Sequence, residues 1–510
     1  MNLNKNANKN EIDWIITLVP MGIVLLLSIL FFFMPEQSNA VLSQVRFFFG
    51  DTFGIYYLVI GLGIFLLSIF IAYSKYGDIV LGDANEPPKY SFFTWGSMMF
   101  TCGLAADILF YSLSEWVMYA TDPHIFEIGN VQDWAGVFPL FHWSFIPWGF
   151  YLVLAVAFGF MIHVRKCNRW KYSEACRPIL GKYTDNIPGR IIDLLAVFAL
   201  LAGTATTFSV ATPLMAGIIN ELFHIELNRT LVTIIILLIT CFIYTYSLLH
   251  GFKGIGFLAK ACIYMFFGLL LFVLVVGGEG RYIVETGFES LGRMIGNFFE
   301  LSTFSDPMRK TNFPQNWTIY YWAYWMVWCV AAPFFIGNIS QGRTIRQTIL
   351  GGYVFGTGST LISFIILGNY SMGLQARGII DFIAKYQADS DLYSFIIYVL
   401  RTLPCASFVL ILLLLTMITF YATSFDSIAL TASCYSYYKL DEGKSPSKFI
   451  QLIWCILLII FPIALVFSES SMNNLQSVSI VSAFPIGMVI VMIAVSFIKD
   501  VNKYMKEIKE

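Results

Sequence analysis

The chain has 510 residues, of which 58% are hydrophobic and 12% are charged. A soluble domain carries roughly 25% charged residues, so this composition excludes an ordinary soluble protein. With 31 basic and 32 acidic residues, the near-neutral balance gives no reason to expect a nucleic-acid partner. The nine cysteines are scattered without a CxxC pair, and they indicate neither a disulfide framework nor a metal site.

Apolar runs of about twenty residues recur along the chain, and each is long enough to cross a bilayer. The first, Trp14 to Met34, is too long for a signal-peptide core and has no small-residue cleavage site after it, so we expect it to be retained. The runs predict twelve transmembrane spans, with cores at 13–34, 54–74, 91–118, 138–164, 189–222, 230–250, 253–278, 317–337, 346–369, 406–438, 447–468 and 475–498.

Basic residues collect in segments that alternate with acidic ones. They are concentrated at 165–190, at 439–448 and in the tail 499–510, whereas the opposite connections are rich in acids. By the positive-inside rule, we predict a protein of the cell membrane with both termini in the cytoplasm. Residues 282–301 have apolar side chains at helical spacing and predict an amphipathic helix on the outer surface, with a less regular one at 370–405.

The most distinctive stretch lies in the eighth span, where four tryptophans and three tyrosines fall between Trp317 and Trp328. At helical spacing, Tyr321 and Trp325 share a face with Trp328. Trp and Tyr normally collect at membrane interfaces, so an interfacial belt is one interpretation. An aromatic cage for a quaternary ammonium group is the other, because the faces of π systems attract a cation that has no N–H to donate.

Two further features accompany this stretch. Pro333 and Gly337 are predicted to weaken the same helix near the middle of the membrane, as in transporter binding sites. A second aromatic group opens the fourth span, where Trp148 and Tyr151 share a face after Trp143. We interpret His142 as a satisfied interfacial residue rather than a ligand.

These motifs resemble those of the betaine/choline/carnitine transporter (BCCT) family. The resemblance rests on FHW…PW..Y in the fourth span and FP.NWT..YWAYW…W…….IS.GRT in the eighth, and it extends over essentially all twelve spans. Ala211-Thr212-Pro213-Leu214 and the ending Ser496-Phe497-Ile498-Lys499-Asp500 are similar to the carnitine/γ-butyrobetaine antiporter branch.

The resemblance implies an all-α integral membrane protein with a leucine-transporter-type fold, and commonly a homotrimer in contact with membrane lipid. Two peripheral helices (13–90) would follow an N-terminal tail (1–12). Inverted repeats would occupy 91–278 and 317–498, joined by the outer helix and loop 279–316 and followed by a cytoplasmic tail (499–510). The substrate cage would be formed by Trp143, Trp148, Tyr151 and Trp325. Tyr324 and Trp328 would line the same pathway, with Trp317 nearer the outside. Tyr324 departs from the family's Trp-Trp pair, which puts side-chain specificity there in question.

Asp107 is the clearest departure in the third span. A charge within the hydrocarbon costs ~2.5–3.5 kcal/mol or more, so an intramembrane acid is a functional candidate. Sodium-coupled betaine carriers of the family have a glycine-rich run here, whereas an aspartate resembles the proton-driven choline transporters. Choline is a net cation and gains from a fixed counter-charge, while a zwitterion brings its own carboxylate. The alternative is that Asp107 only pairs with a buried lysine.

Coupling depends on two further places. In the carnitine antiporters an arginine at the place of Gly256 stands in for sodium, and Lys260, one turn on, would supply a similar charge here and gate with a proton. Thr423 and Ser424 match the stretch whose hydroxyls bind sodium in sodium-driven members. Sodium independence is expected if Lys260 reaches them, and a sodium site stays an alternative if it does not.

The sequence therefore predicts a secondary transporter of choline, carnitine or betaine that works by alternating access, driven by protons or by substrate exchange. A sodium-coupled betaine or carnitine symporter is the alternative, and a membrane sensor that binds such a ligand without transport is another. An enzyme is not expected, since the spans contain no HExxH or nucleophile elbow. No cofactor is expected either.

Overall fold

A computed structural model of the protein describes residues 12–84, 86–250, 255–439, 445–468 and 472–508. This part of the chain is helical and holds no β-strand, only the isolated bridge pairs Ile12–Tyr437 and Val80–Thr344. The predicted N-terminal tail, except Ile12, lies outside the described residues. Gly256, the place of the arginine in the carnitine antiporters, lies in a stretch of α14 whose surroundings are not described.

The α-helices of the first half of the chain are α1 (Trp14–Phe33), α2 (Pro35–Phe47), α3 (Gly54–Tyr73), α4 (Phe92–Cys102), α5 (Ala106–Ala120), α6 (Pro123–Ile128), α7 (Val131–Trp134), α8 (Val137–His142), α9 (Phe145–Gly159), α10 (Tyr172–Ala175), α11 (Arg177–Leu180), α12 (Ile187–Phe223) and α13 (Arg229–His250). Those of the second half are α14 (Ile255–Val276), α15 (Gly280–Gly296), α16 (Phe298–Thr303), α17 (Ile319–Trp328), α18 (Ala332–Ile339), α19 (Ile345–Gly351), α20 (Thr357–Ala376), α21 (Phe382–Asp389), α22 (Leu392–Arg401), α23 (Ala406–Tyr435), α24 (Lys448–Phe467) and α25 (Met472–Glu507). Single π-helical turns at Phe48–Thr52, Phe160–Val164, Pro314–Thr318 and Gly352–Gly356 join or extend them, with 3₁₀ turns at Lys75–Asp78 and Gly181–Asp185.

Within the described residues, nine helical stretches are long and apolar enough to cross a membrane by themselves. Three further pairs of helical segments qualify when their two halves are counted together, and each is bent by more than 40° between the halves. They are α4 with α5, Lys260–Val276 of α14 with α15, and Pro314–Trp328, which includes α17, with α18. The described chain therefore holds between nine and twelve spans, a range that includes the predicted twelve without fixing that number.

Two of these pairs are similarly bent. The axes of α4 and α5 meet at 63°, and those of α17 and α18 at 58°. The second break falls at Cys329–Ala331, directly before Pro333 in the first turn of α18. In the first turn of a helix the missing backbone N–H of proline removes no helical hydrogen bond, so Pro333 suits the start of α18. The weakness predicted near this proline is therefore observed as a broken helix.

Gly337 has a different role from the one expected of it. It lies within α18, and a Cβ atom placed there would come within 2.6 Å of the Ala155 carbonyl oxygen and 2.8 Å of the Gly159 nitrogen. The absence of a side chain therefore allows α18 to cross α9 at close range. The bend belongs to the residues before Pro333, not to Gly337.

The third pair turns more sharply, because α15 leaves α14 at 109°. Its residues cover most of the predicted surface helix 282–301, and its exposed and buried side chains alternate at helical spacing. In the predicted outer segment 370–405, α20 ends and the short helices α21 and α22 follow. The long helices α12 and α25 pack together at the centre, with α17 against both, whereas α1 packs on α24 and α3 on α9.

Candidate functional site

A cavity of about 1240 Å³ lies where both broken helices meet α9, α12 and α23. At one end its walls include Trp143, Tyr151 and Trp325. At the other end it is bordered by four basic residues, which we call the basic mouth: Lys166, Arg169, Lys171 and Lys439. Helix α9 lies in the chain between Trp143 and Lys166 of the basic mouth. At 1.5 Å per residue its 15 residues span roughly 22 Å.

The opposite end is closed. Four tyrosines are 0–1% exposed, and none of them lines the cavity; we call them the buried aromatic layer (Tyr111, Tyr119, Tyr320 and Tyr321). Tyr111 and Tyr320 share a hydrogen bond of 2.8 Å across the layer. Among the described residues, the cavity is therefore open at the basic mouth and closed at the buried aromatic layer.

Trp325 lies at the centre of an aromatic cluster. Its ring centroid lies 5.0 Å from that of Tyr151, 5.6 Å from Trp143 and 6.1 Å from Trp148. Trp143 and Tyr151 meet Trp325 edge to face, at interplanar angles of 72° and 64°. The structure thus brings together all four residues of the predicted cage, from α9 and the turn before it and from α17.

Trp148 does not line the cavity, although the other three do. It is fully buried between two glycines. A Cβ atom at Gly103, in the break between α4 and α5, would come within 2.7 Å of its ring, and one at Gly356 within 2.2 Å. Trp148 therefore supports Trp325 and Tyr151 from behind, and its contact with a ligand stays a prediction.

Asp107 lies in the first turn of α5, directly after the break, and is 4% exposed on the cavity wall. The hydroxyl of Tyr324 donates to its Oδ2, while its Oδ1 has no hydrogen-bond partner among the described side chains and backbone. Thr207 of α12 is hydrogen-bonded to the same tyrosine hydroxyl. Because that hydroxyl has one proton, it accepts from Thr207 when it donates to Asp107.

The two remaining aromatic residues predicted for the pathway lie apart. Trp328 lines the cavity and meets Tyr324 at a centroid distance of 6.5 Å. Trp317 lies beyond the buried aromatic layer, where its indole N–H donates to Asp122 at 3.0 Å. Burial raises the pKa of the Asp122 carboxyl, and the bond from Trp317 opposes that rise. Trp317, which was predicted to lie nearer the outside, therefore contacts Asp122 and is not part of the cavity lining.

The residues predicted to couple transport to an ion lie in two different environments. Thr423 and Ser424 line the cavity, and the Thr423 hydroxyl donates to the Thr419 carbonyl at 2.9 Å. Lys260 is exposed and is absent from the lining. Among the described residues, no lysine forms an ion pair with Asp107. The alternative that Asp107 is only the partner of a buried lysine is therefore not supported, and a contact between Lys260 and Thr423 stays a prediction.

Sequence reasoning missed several residues of this region. Thr207 of α12 and Tyr421 of α23 both line the cavity. The Tyr421 hydroxyl donates a hydrogen bond of 3.4 Å to the Thr207 carbonyl oxygen. Glu115 is fully buried in α5, and the rule that singled out Asp107 applies equally to this second intramembrane acid. His142, interpreted as an interfacial residue, is also fully buried and hydrogen-bonded.

Comparison with known proteins bears on this arrangement. The model of a family described as BCCT, betaine/carnitine/choline family transporter, matches residues 15–506. The chain is 29% identical over 484 residues to the glycine betaine transporter OpuD of Bacillus subtilis, covering 93% of this chain and 92% of that protein. It is 30% identical over 466 residues to the betaine/ectoine transporter LcoP of Corynebacterium glutamicum, covering 87% and 70%. A carnitine transporter of Acinetobacter baumannii is 25% identical over 487 residues, covering 92% and 87%.

Proposed function

Because the chain belongs to the betaine/carnitine/choline transporter family, we propose that it carries quaternary ammonium compounds across the membrane by alternating access. Membership makes the chain a multi-pass membrane transporter and not an enzyme. The observation that carries the proposal is the meeting of Trp143, Tyr151 and Trp325 on one cavity wall, with Asp107 close by.

The cage accounts for the class of substrate. A trimethylammonium group has no N–H, so hydrogen-bond acceptors cannot hold it, whereas ring faces attract its spread positive charge by about 2 kcal/mol or more when water is excluded. The edge-to-face contacts around Trp325 fix the rings in place before a ligand arrives. Such preorganisation lowers the entropy lost on binding.

Asp107 bears on the charge of the substrate. Its Oδ1 is free of hydrogen bonds from the described residues, and its carboxylate is connected to the cage through Tyr324, whose ring centroid is 6.4 Å from that of Trp143. A fixed negative charge beside the cage favours a net cation such as choline over the zwitterions carnitine and betaine. We place choline first on this ground. Carnitine follows, since the motifs of the chain resemble those of the carnitine antiporters, and betaine is third.

The proposed coupling is independent of sodium, by protons or by exchange of one quaternary ammonium compound for another. Asp107 supports it, since a carboxyl can bind either a proton or a cationic substrate. A role of Lys260 in coupling stays a prediction. A sodium-coupled symporter is the second candidate, and the observation that favours it is the position of Thr423 and Ser424 on the cavity wall.

The wider architecture is part of the proposal. The similar bends of α4–α5 and α17–α18, at 63° and 58°, support inverted repeats whose first helices are both broken. The basic residues around the mouth support a cytoplasmic position for that side and for both termini, in the cell membrane. The cavity would then face inward. Assembly as a homotrimer rests on the family resemblance alone.

The test is uptake of labelled choline, carnitine and betaine into proteoliposomes that contain the purified chain. Four conditions are compared: no gradient, a sodium gradient, a pH gradient, and unlabelled substrate inside. We expect uptake of at least one compound without sodium. Uptake that requires sodium favours the symporter, and saturable binding without flux in any condition favours a sensor. If none of the compounds binds or moves, the proposed substrate class is wrong.

A further inference from the structure

A cluster of three polar side chains lies behind Trp143, on the side away from the cavity. Glu115 and Tyr119 of α5 and His142 of α8 are each 0% exposed, and none lines the cavity. Glu115 follows Asp107 by eight residues, about 12 Å along the helix axis. The two carboxyl groups therefore belong to separate sites on one helix.

The cluster is fully hydrogen-bonded. Glu115 accepts from the Tyr119 hydroxyl and, at 2.8 Å, from the indole N–H of Trp143. Nδ1 of His142 lies 2.7 Å from the Tyr119 oxygen and 3.6 Å from Oε1 of Glu115. Nε2 of His142 lies 3.1 Å from the Thr318 hydroxyl. Tyr119 thus connects the carboxyl to the imidazole.

Two arrangements of protons satisfy all these contacts. In one, Glu115 is ionised and accepts from Tyr119, whose oxygen accepts from Nδ1 of a protonated His142. In the other, neutral Glu115 donates to the Tyr119 oxygen, and the Tyr119 hydroxyl donates to Nδ1 of neutral His142. Conversion of the second into the first breaks the Glu115 O–H bond and forms a Tyr119 O–H bond. The original Tyr119 O–H bond breaks as an Nδ1–H bond forms.

Loss of the shared proton leaves a different state. Glu115 is then ionised beside a neutral His142, whose Nε2 accepts from the Thr318 hydroxyl. A buried negative charge without a countercharge is unfavourable unless a cation comes near. Among the described residues, no lysine or arginine forms an ion pair with Glu115 or His142. The other titratable groups that face the cluster are Tyr111 and, further along, Asp107 from α5, Tyr320 and Tyr321 from α17, and Asp122 beyond Trp317.

We propose that Glu115, Tyr119 and His142 form a proton-binding site that is coupled to substrate binding through Trp143. The indole N–H of Trp143 is held by Glu115 while its ring forms one wall of the cage. A hydrogen bond to an ionised acceptor is roughly twice as strong as one to a neutral acceptor. From the arrangement in which Glu115 carries the proton, its loss fixes Trp143 more firmly, and from either arrangement it adds net negative charge near the cage. Both effects favour a cationic ligand.

The inference rests on the proposed function, because it concerns the same cage. It adds a second proton site to the pathway, distinct from Asp107. Tyr119 also packs against Trp317 at a centroid distance of 5.3 Å, on the side where the cavity is closed. The proton site therefore lies between the cage and the closed end. A change in its protonation alters the contacts of Trp143 on one side and of Trp317 on the other.

The first test measures affinity of the full-length protein for labelled choline between about pH 6 and about pH 8, where a histidine-linked proton is expected to exchange. Wild type should bind about fivefold to tenfold more tightly at the higher pH, since the cluster gains net negative charge and the bond from Trp143 becomes charge-assisted where Glu115 carried the proton. Glu115→Gln keeps an acceptor for Trp143 but stays neutral, so its affinity should match the low-pH value of wild type at every pH. Tyr119→Phe keeps the ring and breaks the connection, and should also abolish the pH dependence. Asp107→Asn should weaken binding yet keep the dependence.

The second test needs no substrate. Infrared difference spectra of the purified protein between the same pH values should contain a carboxyl band that is absent from Glu115→Gln and shifted in His142→Gln. If Glu115→Gln has the same affinity and the same carboxyl band as wild type, the inference is overturned. If choline, carnitine and betaine all fail to bind, the proposed function fails, while the infrared band still decides whether the cluster takes up a proton.

Discussion

The hydroxyl of Tyr324 donates a hydrogen bond to the carboxylate of Asp107, and this contact joins the two broken helices of the protein across the cavity. Tyr324 belongs to α17 and Asp107 to the first turn of α5. Positive charge at a helix N-terminus favours an ionised carboxylate there. The contact therefore places a carboxyl group between the two broken helices, which move relative to each other in the proposed mechanism.

Removal of the Tyr324 hydroxyl should weaken binding of a cation. In Tyr324→Phe, Asp107 loses its donor, and a bond to a charged group contributes ~1.5–3 kcal/mol, so choline affinity should fall about tenfold or more. The control is Tyr320→Phe, one turn earlier in α17, whose hydroxyl bonds to Tyr111 outside the cavity. Equal loss of labelled-choline binding in both variants would contradict a specific role for the Asp107 contact.

Neutralisation of Asp107 should distinguish substrates by charge. In Asp107→Asn, choline affinity should fall about 30-fold more than betaine affinity, because a unit charge about 7 Å away contributes ~2 kcal/mol at an effective dielectric constant near 20. Competition binding with both compounds measures the ratio. A proportional loss for the two would mean that Asp107 acts on the shape of the site and not on substrate charge.

Truncation of Trp325 should abolish most binding. In Trp325→Leu, affinity for any quaternary ammonium compound should fall about 30-fold, since a desolvated cation–π contact contributes ~2 kcal/mol. Trp322→Leu is the matched control. Trp322 is on the same helix, is buried, and also has an indole N–H with no hydrogen-bond partner among the described residues, but it does not line the cavity. Comparable loss in the two variants would point to general destabilisation of α17.

Addition of a single methyl group should disturb the crossing of α9 and α18. Gly337→Ala places a Cβ atom within 2.6 Å of the Ala155 carbonyl oxygen, and overpacking of this kind costs about 1–3 kcal/mol. The melting temperature in detergent should fall. Gly358→Ala in α20 is the control, because no atom in the described part of the chain lies within 4 Å of its Cβ position, and it should be neutral or raise the melting temperature. A tolerated Gly337→Ala would show that the crossing is loose.

An ion pair on the side of α22 predicts a dependence of stability on pH. Although burial raises the pKa of Asp391, hydrogen bonds from Arg229 and Ser394 outweigh it, and the pKa is below its ordinary value. A depressed pKa of an acid stabilises the folded state above the unfolded-state value of about 4 and ceases to do so as the pH falls through the folded-state value.

Asp391→Asn tests this. The amide can still accept from the backbone N–H of Tyr393 at the start of α22, so the change removes mainly the charge. At neutral pH the variant should be less stable by up to about 1 kcal/mol, because the pair is partly exposed. The difference in melting temperature should shrink as the pH falls below about 4 and vanish only below the depressed folded-state pKa of Asp391. A difference that persists in acid would assign the effect to the helix cap.

Much of the site was predictable, because membrane spans and the spacing of aromatic residues can be identified from local sequence. The break near Pro333 followed from the missing N–H of proline, and the grouping of Trp143, Tyr151 and Trp325 followed from the family motifs. The burial of Trp148 behind the cage did not, since spacing gives the face of a helix and not the depth of a ring.

Two other residues show the same limit. The periodicity of α14 places Lys260 on a face, but only the packing of neighbouring helices decides whether that face meets the cavity, and its side chain is exposed. Glu115 carries the intramembrane signal that identified Asp107, yet its partners Tyr119 and His142 come from different parts of the chain. Such contacts depend on tertiary structure, which a single sequence does not specify locally.

The wedge of Trp148 between Gly103 and Gly356 constrains how this protein can diverge. Any larger residue at either glycine would collide with the indole, so a tolerated change there requires a smaller ring at position 148 in the same lineage. The three positions should accordingly drift together or stay fixed together. Engineers who wish to reshape the cage would have to exchange them as one set.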